Sequence, residues 1–119
     1  MRLPEYDELD AMGLAALVRR GDVSPAELLE AAVERIEARN PALNAVVYDM
    51  AERARARTGA LPDGPLKGVP FLVKDLKITI AGTPTTHSTK LLLDKIVDQS
   101  SVLADRYEAA GLQILGKTN

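Results

Sequence analysis

The sequence has no cysteine and no tryptophan, and only one phenylalanine and one histidine. Each shortage removes a class of function. Without cysteine there is no disulfide, no thiolate metal site and no cysteine nucleophile. With His87 as the only imidazole, a multi-histidine metal site is excluded, and a histidine-based triad would have to be built on that one residue. Aromatics are 3% of the chain, so any core rests on Ala, Leu, Val and Ile. Neither sign of charge dominates: the net charge of −2 gives no electrostatic case for nucleic acid or an anionic membrane surface. No apolar run approaches the roughly 20 residues of a membrane span. The acidic start, MRLPEYDELD, is unlike a secretory signal. These absences predict a soluble cytoplasmic protein. A length of 119 residues allows one domain at most.

What is present is a hydrophobic fraction of 46% and a charged fraction of 27%, ordinary for a folded domain. Residues 10–20 read as a short helix with Leu14, Leu17 and Val18 on one face and Gly21 as its stop. SPAELLEAAVERIEARN is a stronger signal. Ser24 is an N-cap, Pro25 suits the first helical position, and Glu27 completes a capping box. Leu28, Leu29, Ala32, Val33 and Ile36 then share one face. Asn40-Pro41 is expected to end this helix, because the residue before proline is biased out of the α region. NAVVYD (44–49) reads as a short strand, residues 50–58 as a polar helix, and TGALPDGP as a surface turn.

The second half has a different texture. VPFLV (69–73) is a continuous apolar run, which predicts a strand buried on both faces of a parallel sheet. AGTPTTHSTK (81–90) reads as a loop and LLLDK as a helical turn. Ser100 or Ser101 caps a helix to about Ala110, with Leu103, Tyr107 and Ala110 inward and Gly111 as its stop. LQIL (112–115) is a second buried strand. The order of elements predicts an α/β fold.

Gly111-x-x-x-x-Gly116-Lys117-Thr118 fits the letter of a phosphate-binding P-loop. Such a loop is flexible, follows a strand and opens a helix. Here its middle residues, Leu112, Gln113, Ile114 and Leu115, read as the strand itself. The simpler account is a helix stop, a strand and a glycine turn.

Lys74 stands out among the polar residues. It follows five apolar residues, and a lysine carried into a dry interior can accept a proton near neutral pH. The alternative, which composition favours, is a solvated strand end beside Asp75. His87 lies in a polar loop with no partner nearby. Thr83, Thr85 and Thr86 could offer hydroxyls to a substrate or satisfy the loop's own backbone. The four serines are Ser24, Ser88, Ser100 and Ser101. Ser24 is a cap, Ser100 and Ser101 precede a helix, and Ser88 lacks the glycine-flanked setting of an exposed nucleophile.

Taken in order, these segments resemble the amidase signature family, whose members cleave amide C–N bonds with a Ser–cis-Ser–Lys triad. Gly64 to Asp75, GPLKGVPFLVKD, resembles the family's segment that carries the catalytic lysine. Ala81 to Thr86, AGTPTT, resembles its next loop, and Ala109 to Asn119, AAGLQILGKTN, the strand segment after that. SPAELLEAAVERIEARNPALNAVV is similar to the family's N-terminal helix. The resemblance covers nearly the whole chain. It implies that Lys74 is catalytic, passing protons through a cis serine to the nucleophilic serine. It implies no metal or organic cofactor. One departure is local: where the family usually has Gly-Ser after the paired threonines, this chain has His87-Ser88-Thr89.

The resemblance also implies that residues 1–119 are the N-terminal part of one amidase domain, with 1–60 mostly helical and 61–119 starting the mixed sheet. Family members are several times longer, and both catalytic serines would lie beyond Asn119. The chain alone is then expected to be inactive, and to be poorly soluble or self-associating through uncovered strands. The expected substrate is a small-molecule amide, with no nucleic-acid or membrane partner. A non-catalytic interaction module or remnant, complemented by the missing part in trans, is the second reading. A P-loop nucleotide binder is the third.

Overall fold

The computed structural model describes residues 3–119; the first two residues of the acidic start lie outside them. After a short 3₁₀ turn at Pro4–Glu8, helix α1 spans Ala11–Arg20. Asp10 caps it by accepting from the Gly13 N–H, and Gly21 ends it in the left-handed conformation. Helix α2 spans Pro25–Leu43 and opens with the expected capping box: the Glu27 N–H donates to Ser24 Oγ, and the Ser24 N–H to Glu27 Oε2.

α2 does not stop at Asn40. Pro41 lies within its last turn, and Asn44 closes it in a left-handed conformation, donating its N–H to Asn40 O at 2.7 Å. Near a helix end a proline forfeits one ladder bond without breaking the turns beyond it. Asn40 offsets the loss. Its Oδ1 accepts from the Ala45 and Val46 N–H groups, and its Nδ2 donates to Val46 O, tying α2 to the strand that follows.

That strand, β1, is Val46–Asp49, followed by helix α3 at Ala51–Arg57. Strand β2 is Pro70–Lys74, helix α4 is Val102–Ala109, and strand β3 is Gln113–Thr118. The sheet order is β1-β3-β2; β3 runs antiparallel to β1 and parallel to β2. The sheet is therefore mixed rather than parallel throughout. β2, expected to be buried on both faces, is an edge strand among the described residues, and only Val73 in it is fully buried. β3 is the central strand, and it continues through Thr118 instead of ending at Leu115.

Successive side chains of β3 point to opposite faces. Leu115 packs with Leu29, Ala32 and Val33 of α2 and with Ala51 and Ala54 of α3. Ile114 packs on the other side with Val73, Met50, Ile80 and Ala104. A third cluster, Leu14, Ala15, Val23, Leu28, Val69 and Leu112, closes the end where β2 and β3 begin. The inward face of α4 is Ala104 and Tyr107, with the Tyr107 ring edge-on to Phe71 at 4.9 Å; Leu103, expected inward, is exposed.

Two close approaches fix how β2 enters. Gly111 has φ +91°, and a Cβ there would lie 2.5 Å from Lys67 Cα; one on Gly64 would lie 2.3 Å from Ala110 O. Only glycine lets these backbones meet, and the Leu66 and Gly68 N–H groups then donate to Ala110 O and Gly111 O. Gln113 staples the same region, donating from Nε2 to Pro25 O and Gly68 O.

Candidate active site

The polar side chains gather at the carboxyl ends of the parallel strands β2 and β3. Lys74 is the last residue of β2, directly beside Thr118 of β3, and its side chain is exposed. The structure thus places it at a solvated strand end, not in a dry interior. Asp75 follows, and its burial is nearly complete at 4% exposed. Its N–H donates to Thr118 O at 2.8 Å, so the chain turns while still held to β3. Its carboxylate accepts from the Thr86 N–H at 2.8 Å and from the Thr86 hydroxyl. Its carbonyl accepts from the His87 N–H. Asp75 therefore anchors residues 86–87 beside Lys74.

The loop of residues 81–90 is fixed along its length. Thr83 is buried, and its hydroxyl donates to Ile80 O. Pro84 bridges to Ile96, and the Val97 N–H donates to Thr83 O. Thr83 and Thr86 serve the loop's own architecture, as one of the two readings of these threonines expects. His87 is exposed, and both His87 (φ 51°) and Ser88 (φ 62°) are left-handed. That conformation suits glycine, which the resembling family usually places there.

The buried lysine of this structure is Lys117, which sequence reasoning considered only as a phosphate ligand. It is 0% exposed and is the largest fully buried side chain among the described residues. Its Nζ donates to Pro84 O at 2.5 Å and Thr85 Oγ1 at 3.3 Å, and lies 5.9 Å from the centre of the Tyr48 ring. Burial lowers its proton affinity below the usual lysine value; the Asp75 carboxylate opposes that shift and Arg53 adds to it. Gly116, Lys117 and Thr118 are strand residues, and the Lys117 ammonium is committed to a loop carbonyl. The P-loop reading is therefore overturned, since its lysine and backbone are not free to cradle phosphate. Alternation alone does not reveal the place of Lys117: counted from Ile114, it would lie on the face opposite Val73, and the irregular register between Phe71 and Leu72 brings it beside Val73 and Tyr48 instead.

None of the four serines reaches Lys74 as a partner. Ser24 and Ser101 cap α2 and α4, Ser100 Oγ accepts from the Ala81 N–H, and Ser88 is exposed on the loop. Among the described residues no cluster of His, Asp and Glu could hold a metal, and no helix is long and apolar enough to cross a membrane. An open cavity of about 310 Å³ lies beside Asp75, lined by Val47, Tyr48, Asp75, Pro84, Thr86 and Leu93. A larger one of about 830 Å³ lies at the opposite end, among Val18, Pro25 and Lys67, away from these polar groups.

Comparison with known proteins identifies relatives of the chain. The chain is 42% identical over 112 residues to the 6-aminohexanoate-cyclic-dimer hydrolase of Paenarthrobacter ureafaciens, covering 92% of this chain and 22% of that one. It is 40% identical over 119 residues to an acylamidase of Rhodococcus erythropolis, covering 93% and 25%. A solved structure of a 6-aminohexanoate cyclic dimer hydrolase complexed with substrate superposes with a TM-score of 0.90 at 38% identity, over 98% of this chain and 24% of the other. The chain thus spans about a quarter of the length of these relatives. The amidase family model matches residues 27–119, from the capping box of α2 to the end of β3, and the chain belongs to the amidase family.

Proposed function

We propose that this chain carries the lysine of an amide-hydrolysing site, with Lys74 as the proton-transfer residue of a Ser–cis-Ser–Lys triad and a small-molecule carboxylic amide as substrate. The observation that carries the proposal is where Lys74 stands. It closes β2 at the carboxyl end of a parallel strand pair, the side of an α/β sheet where ligands bind, and it is exposed there while its neighbour Asp75 is buried and fixed. The names of the relatives, a cyclic-dimer hydrolase and an acylamidase, support amide chemistry.

In this proposal the two serines come from elsewhere in the working enzyme. The parts of that enzyme supplied from elsewhere shield Lys74 from water, and its amine then accepts, through the cis serine, the proton leaving the nucleophilic serine as its oxygen adds to the amide carbonyl carbon. The proton then goes to the leaving nitrogen as the C–N bond breaks. Water hydrolyses the resulting acyl ester and restores the serine. Asp75 shapes the turn and takes no proton.

The test is amide turnover by the protein encoded by the reading frame that holds residues 1–119, assayed on an acyl anilide. Lys74→Ala is expected to lower kcat at least about a thousandfold, the loss typical of a positioned proton-transfer group. Turnover that survives the substitution would overturn the role of Lys74, and a frame product with no turnover on any amide would overturn the reading as a whole. A second reading, a binding module completed by another polypeptide, is favoured by the apolar side chains left open around the loop: Leu91 is 91% exposed, and Leu93, Ile96 and Val102 are more than half exposed. Recovery of turnover only on mixing with a serine-bearing polypeptide would support it.

A further inference from the structure

We propose that Lys117 is a positioning residue for Lys74: its buried amine clamps the Pro84–Thr85 backbone to the centre of the sheet and so holds Thr86 on Asp75, the residue that follows Lys74. The role assigned to Lys74 rests on the function proposed above; the clamp itself does not.

Four observations make the clamp. First, Lys117 sits on β3, the central strand, beside Val73 of β2 and Tyr48 of β1, so its backbone is held from both sides. Second, its side chain is wholly buried, yet its Nζ reaches no carboxylate; its hydrogen-bond partners are a loop carbonyl and a loop hydroxyl. A buried ammonium without a contacting counter-ion is costly, and sequences retain one where its donors satisfy something apolar residues cannot. Third, what it satisfies is Pro84 O, in a segment that is otherwise a loop crossing the end of the sheet. Fourth, the next two residues lead directly to Thr86, whose N–H and hydroxyl both bind the Asp75 carboxylate. Lys117 and Asp75 therefore grip the loop at adjacent points, one through a carbonyl and the other through an N–H and a hydroxyl. Without Lys117, Pro84 O would face an apolar interior unpaired. The loop would shift, and Asp75, which turns the chain out of β2, would lose its fixed partner. Small displacements of a reacting group cost rate without touching substrate contacts made elsewhere.

The test has two readouts. Hydrogen exchange of the whole chain compares wild type with Lys117→Met, which keeps the stem and removes the donor. The Thr86 and His87 amides, both bonded to Asp75, are expected to exchange at least about tenfold faster, while the Leu66 and Gly68 amides at the far end stay within about twofold. No change at Thr86 and His87, or an equal rise at all four, would overturn the clamp. Lys117→Cys, aminoethylated while unfolded and then refolded, is the second variant: the chain has no other thiol, and the modification rebuilds an amine of nearly the original length. Protection of Thr86 must return with it; a refolded, aminoethylated chain that stays unprotected overturns the clamp even if Lys117→Met does not fold. In the amide-hydrolysing frame product, Lys117→Met should lower kcat about tenfold with KM within about twofold. Equal loss through KM would overturn the link to Lys74. If Lys74→Ala leaves turnover intact, the functional reading fails by itself, and the exchange result still decides the clamp.

Discussion

Lys74 and Lys117 sit one step apart on neighbouring strands and meet opposite fates. Lys74 ends an edge strand and is exposed; Lys117 lies in the central strand and is sealed from solvent. Read by hydrophobicity the assignment would be reversed, because Lys74 follows the apolar run VPFLV and Lys117 follows a glycine. The difference shows that burial is set by sheet order and not by the apolar character of the preceding segment. It also separates two uses of one side chain. An exposed amine with no partner is free to act on a ligand, whereas a buried amine bonded to a carbonyl is part of the frame.

The largest stability effect that would sharpen this contrast is expected at Lys117. Lys117→Ala removes a fully buried stem and leaves Pro84 O unpaired, which should cost about 3 kcal/mol in urea unfolding. A cost within about 0.5 kcal/mol would mean that the clamp is not held in solution. Next comes Thr86→Val, which takes one donor from the buried Asp75 carboxylate and should cost about 1 kcal/mol. His87→Gly should gain about 0.5 kcal/mol by relieving a left-handed residue, less than the full left-handed penalty because glycine has more entropy to lose. Lys74→Ala should be neutral within about 0.5 kcal/mol, since the side chain is exposed and makes no structural bond.

The same contrast has a pH signature. Burial holds the proton affinity of Lys117 in the folded chain below its usual value of 10.5. As pH rises toward 10.5 the unfolded chain binds more protons at this site than the folded one, so stability rises with pH in that window. Below the folded pKa the penalty for the buried charge is present in full. The rise is expected in wild type and in Lys74→Ala, and is expected to be absent in Lys117→Met, when urea midpoints at about pH 7 and about pH 10 are compared. An equal rise in all three proteins would assign it to other groups.

Local signals carried the first half of the chain. The Ser24–Glu27 capping box, the apolar face of α2, and the position of β1 and α3 all follow from short-range chemistry, and the structure has them as expected. Pro41 misled because the rule about proline is local, whereas the bonds that rescue the turn come from Asn40 to Ala45 and to Val46, where the next strand begins. β3 misled for the opposite reason. Gln113 is buried within the strand as expected, but Lys117, placed by its sequence in a glycine turn after the strand, is buried as well, because its amine donates to a backbone carbonyl far along the chain, at Pro84. The role proposed for Lys74 rests on the ordered resemblance of three segments; composition placed its side chain, as the structure does, at a solvated strand end.

The measurement that tests the central claim most directly sets turnover against stability for the two lysines. Amide turnover and the urea midpoint are measured on Lys74→Ala and Lys117→Met in the frame product that holds these residues. The account predicts that Lys74→Ala loses at least about a thousandfold in kcat with an unchanged midpoint, and that Lys117→Met loses about tenfold with a lowered one. Turnover that persists in Lys74→Ala and vanishes in a stably folded Lys117→Met would contradict it, and would make the buried lysine the chemical one.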